Sequence, residues 1–237
     1  MKMTQPFFEY AVSALSNLFY PQLCAGCSKE ITRKQQLLCI HCLNDLPVTD
    51  FQLHAANPVE KIFWGRVPIR SASSHYYFTK NSVVQILLHG LKYQGKKEVG
   101  IFFGEKIGHA IYSCNRFAGI EGVIPVPLHR KKETLRGYNQ AALICEGIQH
   151  ILQVPVYTNV LERERSTETQ TNKNRIQRWS NMSGKFKVKN RERISGRHLL
   201  LVDDVVTTGA TLEACAKELL EIKDTTISIA TVAYAFR

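Results

Sequence analysis

The run Leu199-Leu200-Leu201-Val202-Asp203-Asp204-Val205-Val206-Thr207-Thr208-Gly209-Ala210-Thr211-Leu212 constrains the fold of this chain more than any other stretch. Four consecutive apolar residues read as a short buried strand. Two adjacent carboxylates follow, then a Thr/Gly turn, then a helical pattern from about Gly209 to Ile222. That order puts the acids and the turn at the carboxyl end of a strand, where open α/β sheets bind ligands. The backbone N–H groups and hydroxyls of Thr207, Thr208, Gly209, Ala210 and Thr211 suit a phosphate at the positive end of a helix dipole. Gly209 permits close backbone approach. Asp203 and Asp204 suit the two hydroxyls of a ribose, or a magnesium ion held through water. A ligand with a ribose and a 5′-phosphate satisfies both halves, whereas an isolated Asp-Asp pair would read only as a solvated turn.

Strands and helices alternate around this run. Val123 to Leu128 is a short apolar strand whose prolines make its far end leave the ladder. Asn139 to Leu152 has helical spacing, with Leu143, Ile144, Ile148 and Ile151 facing inward; Val156 to Leu161 reads as a strand, and Thr226 to Tyr234 as the last one. Upstream, Ile69 to Phe78 suggests an exposed strand or hairpin. Asn81 to Tyr93 reads as a helix stopped by Gly95, and Glu98 to Tyr112 as another. The alternation predicts an α/β fold with a largely parallel sheet and helices on both faces. The loop-like stretch after Pro47, through Pro58, reads as a linker. It gives two units: residues 1–50, a small N-terminal module, and residues 51–237, the main domain.

Seven cysteines are present, four of them in two tight pairs. Cys24-Ala25-Gly26-Cys27 and Cys39-Ile40-His41-Cys42 are two C-x2-C knuckles, each aiming two thiolates at one point. Together they complete a tetrahedral shell for Zn2+. Gly26 stands where such a knuckle needs a tight turn. Four sulfurs leave no open position for a substrate, so the zinc role is structural: a staple for a module too small to hold its own core. His41 in place of one cysteine is the weaker ligand set. Lys29, Arg33, Lys34 and His41 also give the module a nucleic-acid-binding alternative. The odd count with paired spacing points to metal in a reducing, cytoplasmic setting rather than to disulfides. Cys114, Cys145 and Cys215 read as buried small residues.

The formal net charge of +11 favours a polyanionic partner such as nucleic acid, a phosphorylated metabolite or an anionic membrane surface, although solubility alone is the plainer reading. Two places concentrate it. His129-Arg130-Lys131-Lys132 follows the proline turn after a strand and is a second candidate anion site, or simply a solvated basic loop. Residues 161–197 hold 11 basic and 4 acidic residues, so +7 of the total. A long polar loop in a compact domain is usually functional. No apolar run approaches the ~20 residues that span a bilayer. Phe7 to Tyr20 reads as an amphipathic helix packed on the protein; with Glu9 and no small-residue cleavage site, it is not expected to be a signal peptide.

The Leu200 to Thr211 run resembles the phosphoribosyl pyrophosphate (PRPP) motif of type I phosphoribosyltransferases position by position. The chain as a whole resembles the ComF family of bacterial competence and DNA-uptake proteins. The four-cysteine module carries that match, with Pro125 to Lys132 and Arg136-Gly137-Tyr138-Asn139-Gln140. So do Leu161 to Gln170, Arg178, Asn181 and Phe186. The resemblance implies a phosphoribosyltransferase fold with an N-terminal zinc finger and a role in handling incoming single-stranded DNA. It implies that PRPP or ribose 5-phosphate, with Mg2+, sits on Asp203, Asp204, Val205 and Thr207 to Thr211. Arg130, Lys131 and Lys132 become a pyrophosphate loop. Arg163 and Arg165, with Asp203 and Asp204, become the catalytic set, in a mobile loop that neutralises departing pyrophosphate. Lys173, Arg175 and Arg178 in that loop could instead grip a DNA backbone, with Trp179 and Tyr138 stacking on bases, unless Trp179 is core packing.

Three functions remain open on the sequence. The first is a ComF-like protein that binds PRPP and single-stranded DNA, with partners in the competence machinery. The second is an active phosphoribosyltransferase that passes the sugar to a base or amine in nucleotide metabolism. The third is a regulator that senses PRPP without consuming it.

Overall fold

The structure is a computed structural model and describes residues 22–31, 36–163 and 186–236. Its centre is a four-stranded sheet of β1 (Ala72–Tyr77), β2 (Gly122–Pro125), β5 (His198–Val206) and β6 (Thr226–Tyr234), ordered β1-β6-β5-β2. All three pairings are parallel, with Leu201 opposite Ile229 and Ile124. Leu199 through Val202 are wholly buried, as expected of a central strand covered on both faces. The strand runs on through both aspartates to Val206, so the acids stand inside its second half, two residues ahead of its end.

Helices pack on both sides. On one face lie α3 (Val83–Tyr93), α4 (Glu98–Tyr112) and α6 (Gln140–Leu152), over Leu200, Val202 and Val232. On the other lie α2 (Pro58–Phe63) and α7 (Ala210–Leu220), over Leu199, Leu201 and Ile229. Ser82 caps α3, accepting from the Gln85 N–H at 3.2 Å, and Gly95 at φ +70° lets the chain turn into α4. The α4–α6 contact depends on glycine: a Cβ on Gly104 would collide with the Ile144 carbonyl oxygen and lie 2.8 Å from the Gly147 Cα. Gly100 and Gly108 extend the same stripe against Leu143 and Ile151.

Four expectations change. The Ile69–Phe78 segment is neither an exposed strand nor a hairpin: β1 is part of the parallel sheet, and Tyr76 is buried in the core. Its polar residues are tolerated because Ser74 and Thr231 share a hydrogen bond, while residues 47–49 cover the free edge through Thr49 N–H to the His75 carbonyl and Tyr77 N–H to the Pro47 carbonyl. The supposed linker is therefore packed structure. Within it, Asn57 donates to the carbonyls of Phe51, His54 and Ala72 and caps α2. The Val156–Leu161 strand is also not formed: Val156 makes one parallel bridge to Val123, and the chain then turns. Leu161–Arg163 (β3) instead pairs antiparallel with Phe186–Val188 (β4). Finally, the basic loop after Leu128 is a helix, α5 (Arg130–Arg136), capped by His129 and ended by Gly137 at φ +76°.

The cysteine module holds a short helix, α1 (Ile40–Asn44). Its buried Ala25, Leu38 and Leu46 join the same apolar cluster as Val84 and Leu88 of α3, so module and main sheet share a continuous core. Among the described residues no helix is long and apolar enough to cross a membrane. The expected N-terminal helix, Arg33, Lys34, Arg165, Lys173, Arg175, Arg178 and Trp179 lie outside the described residues.

Candidate functional site: an acidic pair in a cationic cleft

A cleft of about 310 Å³ opens at the carboxyl end of β5. It brings together Asp203 and Asp204 from β5, Thr211 from α7, Lys132 from α5 and Arg163 from β3. These come from three separate stretches of sequence, each expected to carry part of one site.

Asp203 and Asp204 are half-buried neighbours, and the Asp204 N–H donates to Asp203 Oδ1 at 2.8 Å. Burial, and then the charge of Asp204, push the Asp203 carboxyl up to about 8. Asp204 has a partner the sequence did not indicate: Lys92 Nζ, from the last turn of α3, lies 2.7 Å from Asp204 Oδ2. Buried Cys145 and Cys215 stand close enough to Asp203 to feel its charge, and burial raises both thiols well above their ordinary value.

The turn that follows has the expected form. Gly209 adopts φ +71°, and a Cβ there would lie 2.5 Å from Ile62 Cγ2 and 3.0 Å from Phe63 Cε1, so glycine is required for both conformation and space. Thr207 and Thr208 are exposed, and Val205 is half-buried beneath them. A further residue, Arg66, ties the turn down: its Nη1 donates to the Thr208 carbonyl at 3.0 Å and the Ile62 carbonyl at 2.9 Å, while Nη2 pairs with Glu213 in the first turn of α7. With Thr208 held from behind, the N–H groups at the start of α7 stay directed outward. An arginine far upstream gave no sequence signal of this role.

Of the basic trio on α5, Lys132 lines the cleft; Arg130 and Lys131 are exposed and do not. Helix formation explains the separation, since consecutive residues on a helix point about 100° apart. Asn139 also lines the cleft and pins its wall, donating to the Val126 carbonyl at 3.0 Å while capping α6. Tyr138 is structural: its hydroxyl donates to the Leu91 carbonyl, and Lys97 Nζ lies 5.2 Å from its ring centre.

Away from this cleft, the Sγ atoms of Cys24, Cys27, Cys39 and Cys42 all lie within 4.8 Å of one another. The Cys27–Cys39 separation is 3.7 Å, close to the about 3.8 Å edge of a tetrahedron with ~2.3 Å Zn–S bonds. Backbone N–H groups of Cys39 and Cys42 point at the sulfurs of Cys24 and Cys39, at 3.3 and 3.5 Å, which favours thiolates. Gly26 leaves room for the shell: a Cβ there would sit 3.0 Å from Cys42 Sγ. The donor set and spacing fit zinc, and His41 is not among the clustered ligands.

Residues 146–236 match the phosphoribosyl transferase domain. Competence protein F of Haemophilus influenzae is 29% identical over 205 residues, covering 84% of this chain and 85% of that protein. DNA utilization protein YhgH of Escherichia coli O157:H7 is 26% identical over 211 residues, covering 87% and 88%. Among solved structures, the glutamine PRPP amidotransferase of Bacillus subtilis aligns with 60% of this chain and 30% of its own, at 15% identity and a TM-score of 0.42. Over most of its length the chain is thus similar to competence protein F and YhgH, and its C-terminal part matches a phosphoribosyl transferase domain.

Proposed function

We propose that this protein binds PRPP, or a related ribose 5-phosphate, in the cleft beside β5 and handles single-stranded DNA on the cytoplasmic side during natural transformation, together with other competence proteins. One observation carries the reading: a pair of carboxylates, four cations and Thr211 at the end of a phosphate-type turn line a single cleft at the carboxyl end of a parallel sheet. Asp203 and Asp204 accept hydrogen bonds from the ribose hydroxyls. The N–H groups from Thr207 to Thr211 hold the 5′-phosphate. Lys132 and Arg163 face the pyrophosphate. The all-oxygen, anionic donor pair suits Mg2+, which supplies charge shielding to the pyrophosphate. Lys92 must release Asp204, and Asp203 its proton, before both carboxylates serve the ligand. Zinc on the four cysteines is structural.

DNA binding is supported by the +7 balance of residues 161–197 and by the names of the two relatives. Arg165, Lys173, Arg175, Arg178 and Trp179 are its proposed contacts. The second reading is catalytic transfer of the phosphoribosyl group to a base or amine. Arg163 and Lys132, placed where departing pyrophosphate needs cations, favour it.

The test is pyrophosphate release from magnesium-PRPP by the zinc-loaded full chain, with and without single-stranded DNA and a panel of nucleobases. Acceptor-dependent release that disappears in Asp203→Asn/Asp204→Asn establishes an enzyme. Tight binding without release establishes a binding module. Neither binding nor release refutes the phosphoribosyl reading.

A further inference from the structure

A second hollow, of about 300 Å³, opens where α2 ends and the chain leads into β1, and it shares no lining residue with the cleft. Its floor is apolar: Val67 is buried, and Ile69 packs on the core. Pro68 and Trp64 complete the apolar walls. Phe63 is wholly buried, but Trp64, the next residue, is 60% exposed. Its indole N–H has no hydrogen-bond partner among the described residues. No atom lies within 4 Å of where a Cβ would stand on Gly65, so the corner beside Trp64 is open. An exposed indole with a free N–H, set beside aliphatic side chains, is the kind of surface that protein interfaces bury at their centre.

The unbalanced charge at the hollow has one sign. Among the described residues Glu60 is the only acid in its lining, and it is already committed. It pairs with Arg116 and accepts the Ala56 N–H at 2.7 Å and the Ala72 N–H at 3.2 Å. Arg70 lines the hollow and is exposed; its Nη1 reaches His198 Nδ1 at 3.3 Å, and no acid among the described residues pairs with it. Exposed Lys61, whose Nζ lies 5.9 Å from the Trp64 ring centre, likewise has no acid partner among them. Arg66 is held by Glu213 and two carbonyls.

An apolar seat, one free donor and two unpaired cations call for an apolar side chain with a carboxylate beside it. A nucleic-acid strand fits less well: Val67, Pro68 and Ile69 offer no flat stacking face, and two cations do not make the run that a phosphate backbone follows. We propose that this hollow is a docking site for another protein, which lays an apolar residue of an acidic segment against Trp64. The proposal is independent of what occupies the cleft.

The experiment pans a phage-displayed random dodecapeptide library on zinc-loaded full-length protein, with Trp64→Ala as the counter-target. Trp64 is exposed, so Trp64→Ala keeps the fold, which thermal melting verifies. Wild type is expected to enrich peptides in which Asp or Glu flanks Leu, Ile, Phe or Trp. A fluorescein-labelled synthetic copy of the most enriched peptide, read by anisotropy, should bind Trp64→Ala about tenfold more weakly or worse. Lys61→Gln and Arg70→Gln should each weaken it several-fold and reduce its salt dependence. No enrichment over the counter-target, enrichment of basic peptides, or equal affinities in wild type and Trp64→Ala overturns the docking site. So does oligothymidylate that displaces the peptide and loses affinity equally in Trp64→Ala, since the occupant is then a nucleic acid.

Discussion

Replacing Asp203 by Asn separates what the acidic pair costs the fold from what it gives the ligand. Asp203 is pushed up to about 8, by burial first and by Asp204 second. At pH 7 the ligand-free protein therefore holds a proton there, and freeing the carboxylate for a ribose or Mg2+ costs about 1.4 kcal/mol, one pH unit's worth. Affinity for magnesium-PRPP should rise about tenfold per unit from pH 6 to pH 8 and level off above. The sign for stability is opposite. A carboxyl raised in the folded state binds its proton more tightly there than in the unfolded chain, so stability is full below the ordinary carboxylate range and is lost as pH rises toward 8. Because the pair lies at an open cleft, water relieves much of that penalty, and we expect about 1–3 kcal/mol at pH 8. Asn keeps an oxygen for the Asp204 N–H and never ionises. Asp203→Asn should melt about 3–10 °C higher than wild type at pH 8, with the gap closing toward pH 4. Thermal melts and calorimetry across pH 4–9 read both effects. A variant that melts with the same pH slope as wild type, or wild-type affinity that is flat with pH, refutes this electrostatic picture.

Three further outcomes follow from the geometry. Cys27→Ser, at the exposed ligand, should lose zinc on metal analysis; because Leu38 and Leu46 share the α3 core, the main melting transition should fall by several degrees rather than a separate early one appearing. Arg66→Ala should weaken PRPP binding by about tenfold, consistent with the loss of charge-assisted hydrogen bonds worth ~1.5–3 kcal/mol, with zinc content unchanged. Arg66→Lys should recover only part, since one ammonium cannot reproduce the fork over Thr208, Ile62 and Glu213. Gly104→Ala, measured by denaturant unfolding, should cost about 1–3 kcal/mol, because the new methyl meets the Ile144 backbone and α4 must move off α6.

Much of this was legible from local chemistry. The β5–turn–α7 unit and β6 follow from unbroken apolar runs, and α3, α4 and α6 from helical spacing with visible caps at Ser82, Gly95 and Asn139. The four-cysteine cluster was readable from the spacing of its two knuckles. The failures share a cause: the deciding partner is distant in sequence. Ser73, Ser74 and His75 made β1 look exposed, and only the 47–49 segment and Thr231 make it a sheet strand. Lys92 and Tyr93 looked like an ordinary polar helix end until β5 placed Asp204 beside them. Arg66 gains its role from Thr208, over a hundred positions later. The α5 helix was recoverable: Gly137 after Arg136 is a helix-stop signal that the proline turn and charge run obscured. The Gly100, Gly104 and Gly108 spacing, one face of α4, was likewise readable as a close helix crossing.

The measurement that bears most directly on the central claim is calorimetric titration of magnesium-PRPP into the zinc-loaded protein, beside Asp203→Asn/Asp204→Asn and a fold check on both. Saturable one-to-one heat in wild type, absent in a folded double variant, is the predicted result. No heat in wild type, or equal binding by the double variant, would contradict a phosphoribosyl ligand on the acidic pair.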